Sequence, residues 1–336
     1  MRLKIGAYIV FLAILLASCE QDAQLPSVHS NLPPDHFPAI SYPSDNAPTQ
    51  ARFKLGKKLF YDVVMSRDSS ISCASCHKPE WAFSDQVALS PGVENRPGVR
   101  NAPSLANVAY LPYFTREGGV PTLEMQILVP IQEHNEFDFN ILLIGERLQK
   151  DSSYIRMSQE AYGRDPDFFV ITRALANFER NLISGHSAYD DYLSERSQAL
   201  APDELAGMNL FFSERTNCSV CHSGFNFTNN SFQNNGLYEV YSDIGRKRLT
   251  GEESDLALFK VPSLRNVGLT APYMHDGLLE NLEDVINHYN NGGENHPHKS
   301  NLIRPLGLSN KEKRELVAFL HALSDPVFIS DPTLRP

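Results

Sequence analysis

The chain is poor in cysteine, with five in 336 residues, and it has a single tryptophan. So few thiols exclude a disulfide-built scaffold, which staples a short chain with many bridges. Positive charge is also scarce: 30 Lys and Arg stand against 40 Asp and Glu, a net charge of −10. A nucleic-acid binder would carry a basic face, so no nucleic-acid partner is expected. No apolar run reaches the ~20 residues that a membrane-spanning helix needs. Long alternating strand patterns are scarce as well. What is present is 42% apolar and 21% charged sequence, enough for packed cores. At ~150 residues per domain, the length suggests about two domains.

Arg2 and Lys4 precede a 13-residue apolar run, Ile5 to Ala17. This is too short to span a bilayer and suits the core of a signal peptide. The run ends in Leu16-Ala17-Ser18-Cys19, which resembles a bacterial lipobox. The expectation is removal of residues 1–18 and a lipid on Cys19, with an ordinary signal peptide as the alternative. Both readings place the mature chain outside the cytoplasm, in a periplasmic setting, with the membrane touched only through that lipid. Pro26, Pro33, Pro34, Pro38, Pro43 and Pro48 follow. Residues 19–50 therefore read as an extended tether with no internal fold.

The other four cysteines form Cys73-Ala74-Ser75-Cys76-His77 and Cys218-Ser219-Val220-Cys221-His222. Both are C-x-x-C-H, the attachment pattern of c-type haem. Two thiols at that spacing reach the two vinyl groups of one haem, and the next residue offers its imidazole to the iron. A disulfide, a zinc site or a thioredoxin-type pair are the competing uses of such cysteines. Each of them leaves the two adjacent histidines unexplained. Two covalent c-type haems are expected, with Cys73, Cys76, Cys218 and Cys221 as attachment points and His77 and His222 as iron ligands.

The chain also repeats. Pro103-Ser104-Leu105-Ala106-Asn107-Val108 matches Pro262-Ser263-Leu264-Arg265-Asn266-Val267 at an offset of 159, and Leu123-Glu124 matches Leu282-Glu283 at the same offset. Upstream of the two cysteine motifs lie the helical segments Leu55–Phe60 and Leu205–Phe211. Asn281 to Tyr289 is amphipathic and stops before Gly292-Gly293. Lys311 to Leu323 follows a capping box at Ser309, and Phe168 to Ile183 reads as a helix linking the lobes. The expected fold is mainly α, with two cytochrome c-like haem domains related by internal repeat: residues 51–185 and 186–330. The offset pairs Tyr289 with Pro130, which cannot ligate iron. One haem is thus expected to have a sixth ligand where the other is open, the first suited to electron transfer and the second to binding a small molecule. Two equivalent electron carriers with other ligands remain the alternative.

With these motifs, and Thr270-Ala271-Pro272-Tyr273-Met274-His275-Asp276-Gly277, the sequence resembles the bacterial diheme cytochrome c peroxidases from about Ala51 to Leu323. Within them it is most similar to the MauG-type branch. The resemblance implies a peroxidatic N-terminal haem whose distal pocket uses Gln126 and Glu136, with Pro130 between them. A carboxylate above the iron can take a proton from one peroxide oxygen and return it to the other. A histidine that caps this iron in other members is missing here, since no His lies between His77 and His134. His134 is the one residue that would intrude.

The resemblance further implies that Tyr289 ligates the second iron, with Met274 as competitor. It also implies a calcium ion between the haems, held by the Asn101 side chain and the backbone carbonyls of Thr270 and Pro272. The tryptophan that the family places between the haems is absent: the corresponding stretch is Phe114-Thr115-Arg116-Glu117-Gly118-Gly119. The sole tryptophan, Trp81, follows the first motif. Electron transfer between haems would then use the calcium-bridged backbone or Tyr113. The expected activity is reduction of hydrogen peroxide with electrons from a small redox protein, a cytochrome c or cupredoxin. The rivals are a MauG-type oxidase that modifies a partner protein and a non-catalytic diheme carrier.

Overall fold

The computed structural model describes residues 33–194 and 198–336. The signal-peptide segment, Cys19 and Pro26 lie outside the described residues. Among the described residues the structure is helix-rich, and its one sheet is a two-stranded pair, Phe232–Gln233 antiparallel to Phe259–Lys260. No described helix is long and apolar enough to cross a membrane.

Each half is organised by one close helix crossing. The helix Gln50–Tyr61 is started by Thr49, whose side chain accepts from the Arg52 amide. It buries Phe53, Leu55, Gly56, Leu59 and Phe60 at helical spacing. That face crosses the helix Phe168–Glu179, capped by Asp167. A side chain at Gly56 would stand 1.9 Å from the Ala174 carbonyl oxygen and 2.9 Å from Phe178 Cβ, so only glycine allows the crossing. Phe53, Phe60, Phe83 and Phe178 fill the core beneath it.

The same arrangement recurs downstream. The helix Pro202–Phe211 crosses Asn310–His321, and a side chain at Gly207 would stand 1.8 Å from the Glu315 carbonyl oxygen. The expected capping box is present: Glu312 accepts from the Ser309 amide at 2.7 Å, and Ser309 Oγ accepts from the Glu312 amide at 3.3 Å. The amphipathic segment forms the helix Leu282–Asn291, which ends at Gly292 with φ 85°.

The paired Pro-Ser-Leu motifs end in two asparagines of the same left-handed geometry, Asn107 (φ 60°) and Asn266 (φ 61°). Both point at one residue of the connecting segment. Asn107 Nδ2 donates to the Ser184 carbonyl at 2.8 Å, and Asn266 Nδ2 donates to Ser184 Oγ at 2.9 Å. The chain after the linking helix, which ends at Glu179 rather than Ile183, is thus pinned between the halves.

The described part of the proline-rich segment is extended, and it packs on the body. From residue 33 onward it has no helix or strand of its own, yet it is docked on the body. Phe37 is buried against Phe225 at 4.6 Å between ring centroids, with the Arg265 guanidinium 4.9 Å over its face. Tyr42 donates to Asn181 at 3.3 Å. Asn46, fully buried, donates to Glu124 at 2.9 Å and to the Arg173 carbonyl at 3.0 Å. Proline holds the backbone extended at little entropic cost, and the aromatic and amide anchors between the prolines turn an extended segment into a strap.

Candidate functional site

Each C-x-x-C segment forms a single helical turn, Cys73–Cys76 and Cys218–Cys221, with its histidine at the C-terminal end. None of the four thiols is in a disulfide. Burial pushes the Cys76 thiol up to about 11 and raises the other three. His77 Nδ1 lies 2.9 Å from the Phe83 carbonyl. His222 Nδ1 lies 3.1 Å from the Phe227 carbonyl and 3.2 Å from that of Pro262. A carbonyl only accepts, so Nδ1 carries the proton and Nε2 keeps its lone pair. Burial lowers both imidazole pKa values and holds the rings neutral. Unpaired thiols beside a neutral imidazole with a fixed tautomer are the donor set a c-type haem requires.

A cavity of about 420 Å³ opens above the second motif and reaches into the first half. Cys218, Cys221, His222, Met274 and Tyr289 line one part of it, and Gln126, Phe114 and Glu179 line the other. Its walls mix leucine, valine and isoleucine with polar and charged side chains, as a macrocycle that carries carboxylates needs.

The distal candidates come from one chain reversal. Gln126 closes the short helix Leu123–Gln126, which Thr122 caps. Leu128–Gln132 continues and contains Pro130; the chain then folds back, with the Phe137 amide on the Pro130 carbonyl at 3.1 Å and the Val93 amide on the Glu136 carbonyl at 2.9 Å. Gln126 Oε1 is buried without a partner among the described residues. An orphaned buried acceptor facing a cavity is costly unless a ligand satisfies it. Burial, with Glu133 adding to it, pushes the Glu136 carboxyl up to about 7. The Glu136 charge in turn raises both Cys73 and Cys76, so this carboxylate lies within electrostatic reach of the first motif. His134 points away: it is exposed, with Nδ1 3.3 Å from Asp138.

On the second motif, Tyr289 and Met274 share one neighbour. Asn235 Nδ2 donates to the Met274 sulfur at 3.2 Å, and the Asn235 side chain also bonds the Tyr289 hydroxyl. Burial raises the Tyr289 hydroxyl, and Asn235 opposes that rise. Sequence reasoning passed over Asn235, whose only signal is the run Gln233-Asn234-Asn235-Gly236. It also missed Glu179. That carboxyl is buried at the end of an apolar helix, lines the cavity, and is pushed up to about 8 by burial. Its neighbour Arg180 is turned the other way, in a buried ion pair with Glu124.

Asn101, Thr270 and Pro272 do lie on one cavity wall. They do not fit calcium as they stand, because Arg116 Nη2 donates to the Asn101 carbonyl at 2.7 Å and to Asn101 Oδ1 at 3.3 Å. A guanidinium already occupies the side-chain oxygen that the ion would need.

Known proteins match this arrangement. The family described as "Di-haem cytochrome c peroxidase" matches residues 50–198. The methylamine utilization protein MauG of Methylorubrum extorquens is 35% identical over 302 residues, covering 88% of this chain and 85% of that one. The chain belongs to the di-haem cytochrome c peroxidase family. Within the di-haem family it is also similar to the cytochrome-c peroxidase IdrP2 of Denitromonas iodatirespirans, 31% identical over 84% of each chain. Among solved structures, a MauG-like protein associated with microbial copper homeostasis superimposes with a TM-score of 0.86 at 33% identity, over 91% of this chain and 98% of that one. The diheme peroxidase BthA of Burkholderia thailandensis shares the fold, with a TM-score of 0.74 at 22% identity. Family membership implies two c-type haems and a redox reaction on peroxide.

Proposed function

We propose that the chain is a haem-loaded peroxidase of unequal centres. Residues 51–185 carry the first haem on Cys73, Cys76 and His77. Residues 186–330, a repeat of the first lobe, carry the second on Cys218, Cys221 and His222, with Tyr289 as its sixth ligand. When bound, the haems supply the electrons and the metal that peroxide meets. The protein's own part is to hold and move protons. The free oxygen of Gln126 accepts a hydrogen bond from a peroxide O–H. Glu136 takes a proton from one peroxide oxygen and returns it to the other as that oxygen leaves. Overall, one hydrogen peroxide, two protons and two electrons give two waters. The electrons come from a small donor such as a cytochrome c or cupredoxin, and the setting is periplasmic, with Cys19 as lipid anchor.

What supports this reading is Glu136, a carboxyl that burial pushes up to about 7 and whose charge acts on both cysteines of the first motif, together with the orphaned acceptor of Gln126 ten residues before it. The test is steady-state peroxide consumption by the haem-loaded protein with reduced cytochrome c. Turnover that survives in Glu136→Gln removes the acid–base role.

A second reading is favoured by Asn235, which engages the Met274 sulfur and, through its hydrogen bond to the Tyr289 hydroxyl, opposes the rise that burial gives that group. A phenolate favours the higher oxidation states of iron, as in a MauG-type oxidase that acts on a partner protein. That reading expects peroxide, added without donor, to leave two oxidising equivalents on the protein, counted by back-titration with a one-electron reductant.

A further inference from the structure

Arg116 stands in the stretch between the two motifs where a tryptophan was expected, and it lines the shared cavity with Asn101, Thr270, Pro272 and Lys260. The Asn101 side chain is oriented from behind: its Nδ2 donates to the Val87 carbonyl at 3.2 Å and the Ala88 carbonyl at 3.4 Å, so Oδ1 faces the guanidinium. Lys260 lies beside it. Its amide donates to the Arg116 carbonyl at 2.6 Å, and its Nζ donates to the Tyr113 carbonyl at 2.8 Å.

The carboxylates of this region are engaged elsewhere. Glu117 pairs with Arg100 and Arg248, Asp243 pairs with Arg100, and Asp276 accepts from the Tyr238 hydroxyl at 2.5 Å. Arg116 Nε is buried with no partner among the described residues. Burial, with the Arg100 charge adding to it and nearby carboxylates opposing it, lowers Arg116 to about 10; burial, with the Arg116 charge adding to it, lowers Lys260 to about 8. Two cations thus line the cavity; Asp276, Asp243 and Glu117 act on Arg116 through charge, yet each is bonded to another group and Arg116 Nε has no partner among the described residues. Buried charges of this kind are kept only where a counter-charge arrives. The carboxylates of a haem are the anions that enter such a cavity.

We propose that Arg116, supported by Lys260, is the built-in cation of the site between the lobes: it holds Asn101 in place of a divalent metal ion and receives the haem carboxylates. This rests on the reading that the cavity holds haem. A divalent ion on Asn101 would meet the guanidinium at contact distance with like charge and no carboxylate ligand, so the protein works without calcium. Arg116 acts on the haem through charge and is a positioning residue.

The test uses the haem-loaded full chain and its Arg116→Met, Arg116→Lys and Lys260→Met variants. Bound calcium is counted by elemental analysis after gel filtration, and haem midpoint potentials are measured with and without a calcium chelator. The wild type is expected to hold far less than one calcium per chain, with potentials and absorbance indifferent to the chelator. Arg116→Met is expected to lower the midpoint potential of at least one haem, because a positive charge favours the reduced iron, and Arg116→Lys is expected to restore most of it. One tightly held calcium per chain, or a wild-type potential in Arg116→Met, overturns the proposal. If Arg116→Met fails to load haem, Lys260→Met carries the potential test and the calcium count still decides. A wild type that binds no haem at all would overturn the haem reading instead.

Discussion

Replacing Glu136 by glutamine keeps the shape of the side chain and removes its charge. The variant is expected to be more stable than the wild type above neutral pH and inactive toward peroxide. Burial moves this carboxyl from its usual 4.5 to about 7. The folded state therefore holds the proton more tightly than the unfolded state does. That contribution is fully present below about pH 4.5, is lost as pH rises toward 7, and is a full penalty above it. The two values translate into about 3 kcal/mol at most, on the scale of about 1.4 kcal/mol for each tenfold change in proton affinity. Glutamine stays neutral at every pH and escapes the penalty. Urea unfolding of the haem-loaded proteins at pH 5 and pH 8 checks this: near-equal midpoints at the lower pH, and a higher midpoint for Glu136→Gln at the upper. In the same samples peroxide turnover should fall by about 10²–10⁴-fold, the usual worth of a general acid–base group. Wild-type turnover should also rise with pH through about 7 as the base forms. A variant no more stable at pH 8, or a gain equal at both pH values, refutes the burial argument. Retained turnover refutes the chemistry.

Gly207→Ala places a methyl 1.8 Å from the Glu315 carbonyl oxygen. It should cost about 1–3 kcal/mol or more by overpacking and lower the haem content of the second half, read from absorbance per chain. Asn46→Ala removes the buried amide that ties the strap to Glu124 and the Arg173 carbonyl. A loss of about 1–3 kcal/mol in urea unfolding, with faster proteolysis before residue 50, is expected. Tyr289→Phe should raise the midpoint potential of one haem and turn its ferric signal from capped to open, as seen by electron paramagnetic resonance; an unchanged spectrum would assign the ligand to Met274.

The parts of this molecule legible in the chain are those whose chemistry demands adjacency. Thioether attachment needs two thiols and a histidine within five residues, so Cys73 to His77 and Cys218 to His222 stand out. Helices with one buried face carry a 3.6-residue period, which placed Asn310–His321 to within two residues and marked the second half of Gln50–Tyr61 at Leu55–Phe60. The docking of residues 33–49 was not legible, because their composition is the same whether free or docked. Phe37, Tyr42 and Asn46 find partners far along the chain, at Phe225, Asn181 and Arg173. Glu179, Asn235 and Arg116 were passed over for a related reason. Nothing local marks a carboxylate at a helix end or an arginine in a turn as buried; the opposite lobe does that when it closes the cavity. His134, suspected of reaching the first iron, is instead exposed, with Asp138 four residues on at 3.3 Å from its Nδ1.

The most direct test of the account is electron paramagnetic resonance of the resting ferric protein with both haems loaded. One high-spin and one low-spin iron, with the high-spin signal alone responding to a stoichiometric pulse of peroxide, is the predicted result. Two low-spin irons, both unmoved by peroxide before and after partial reduction, would contradict it.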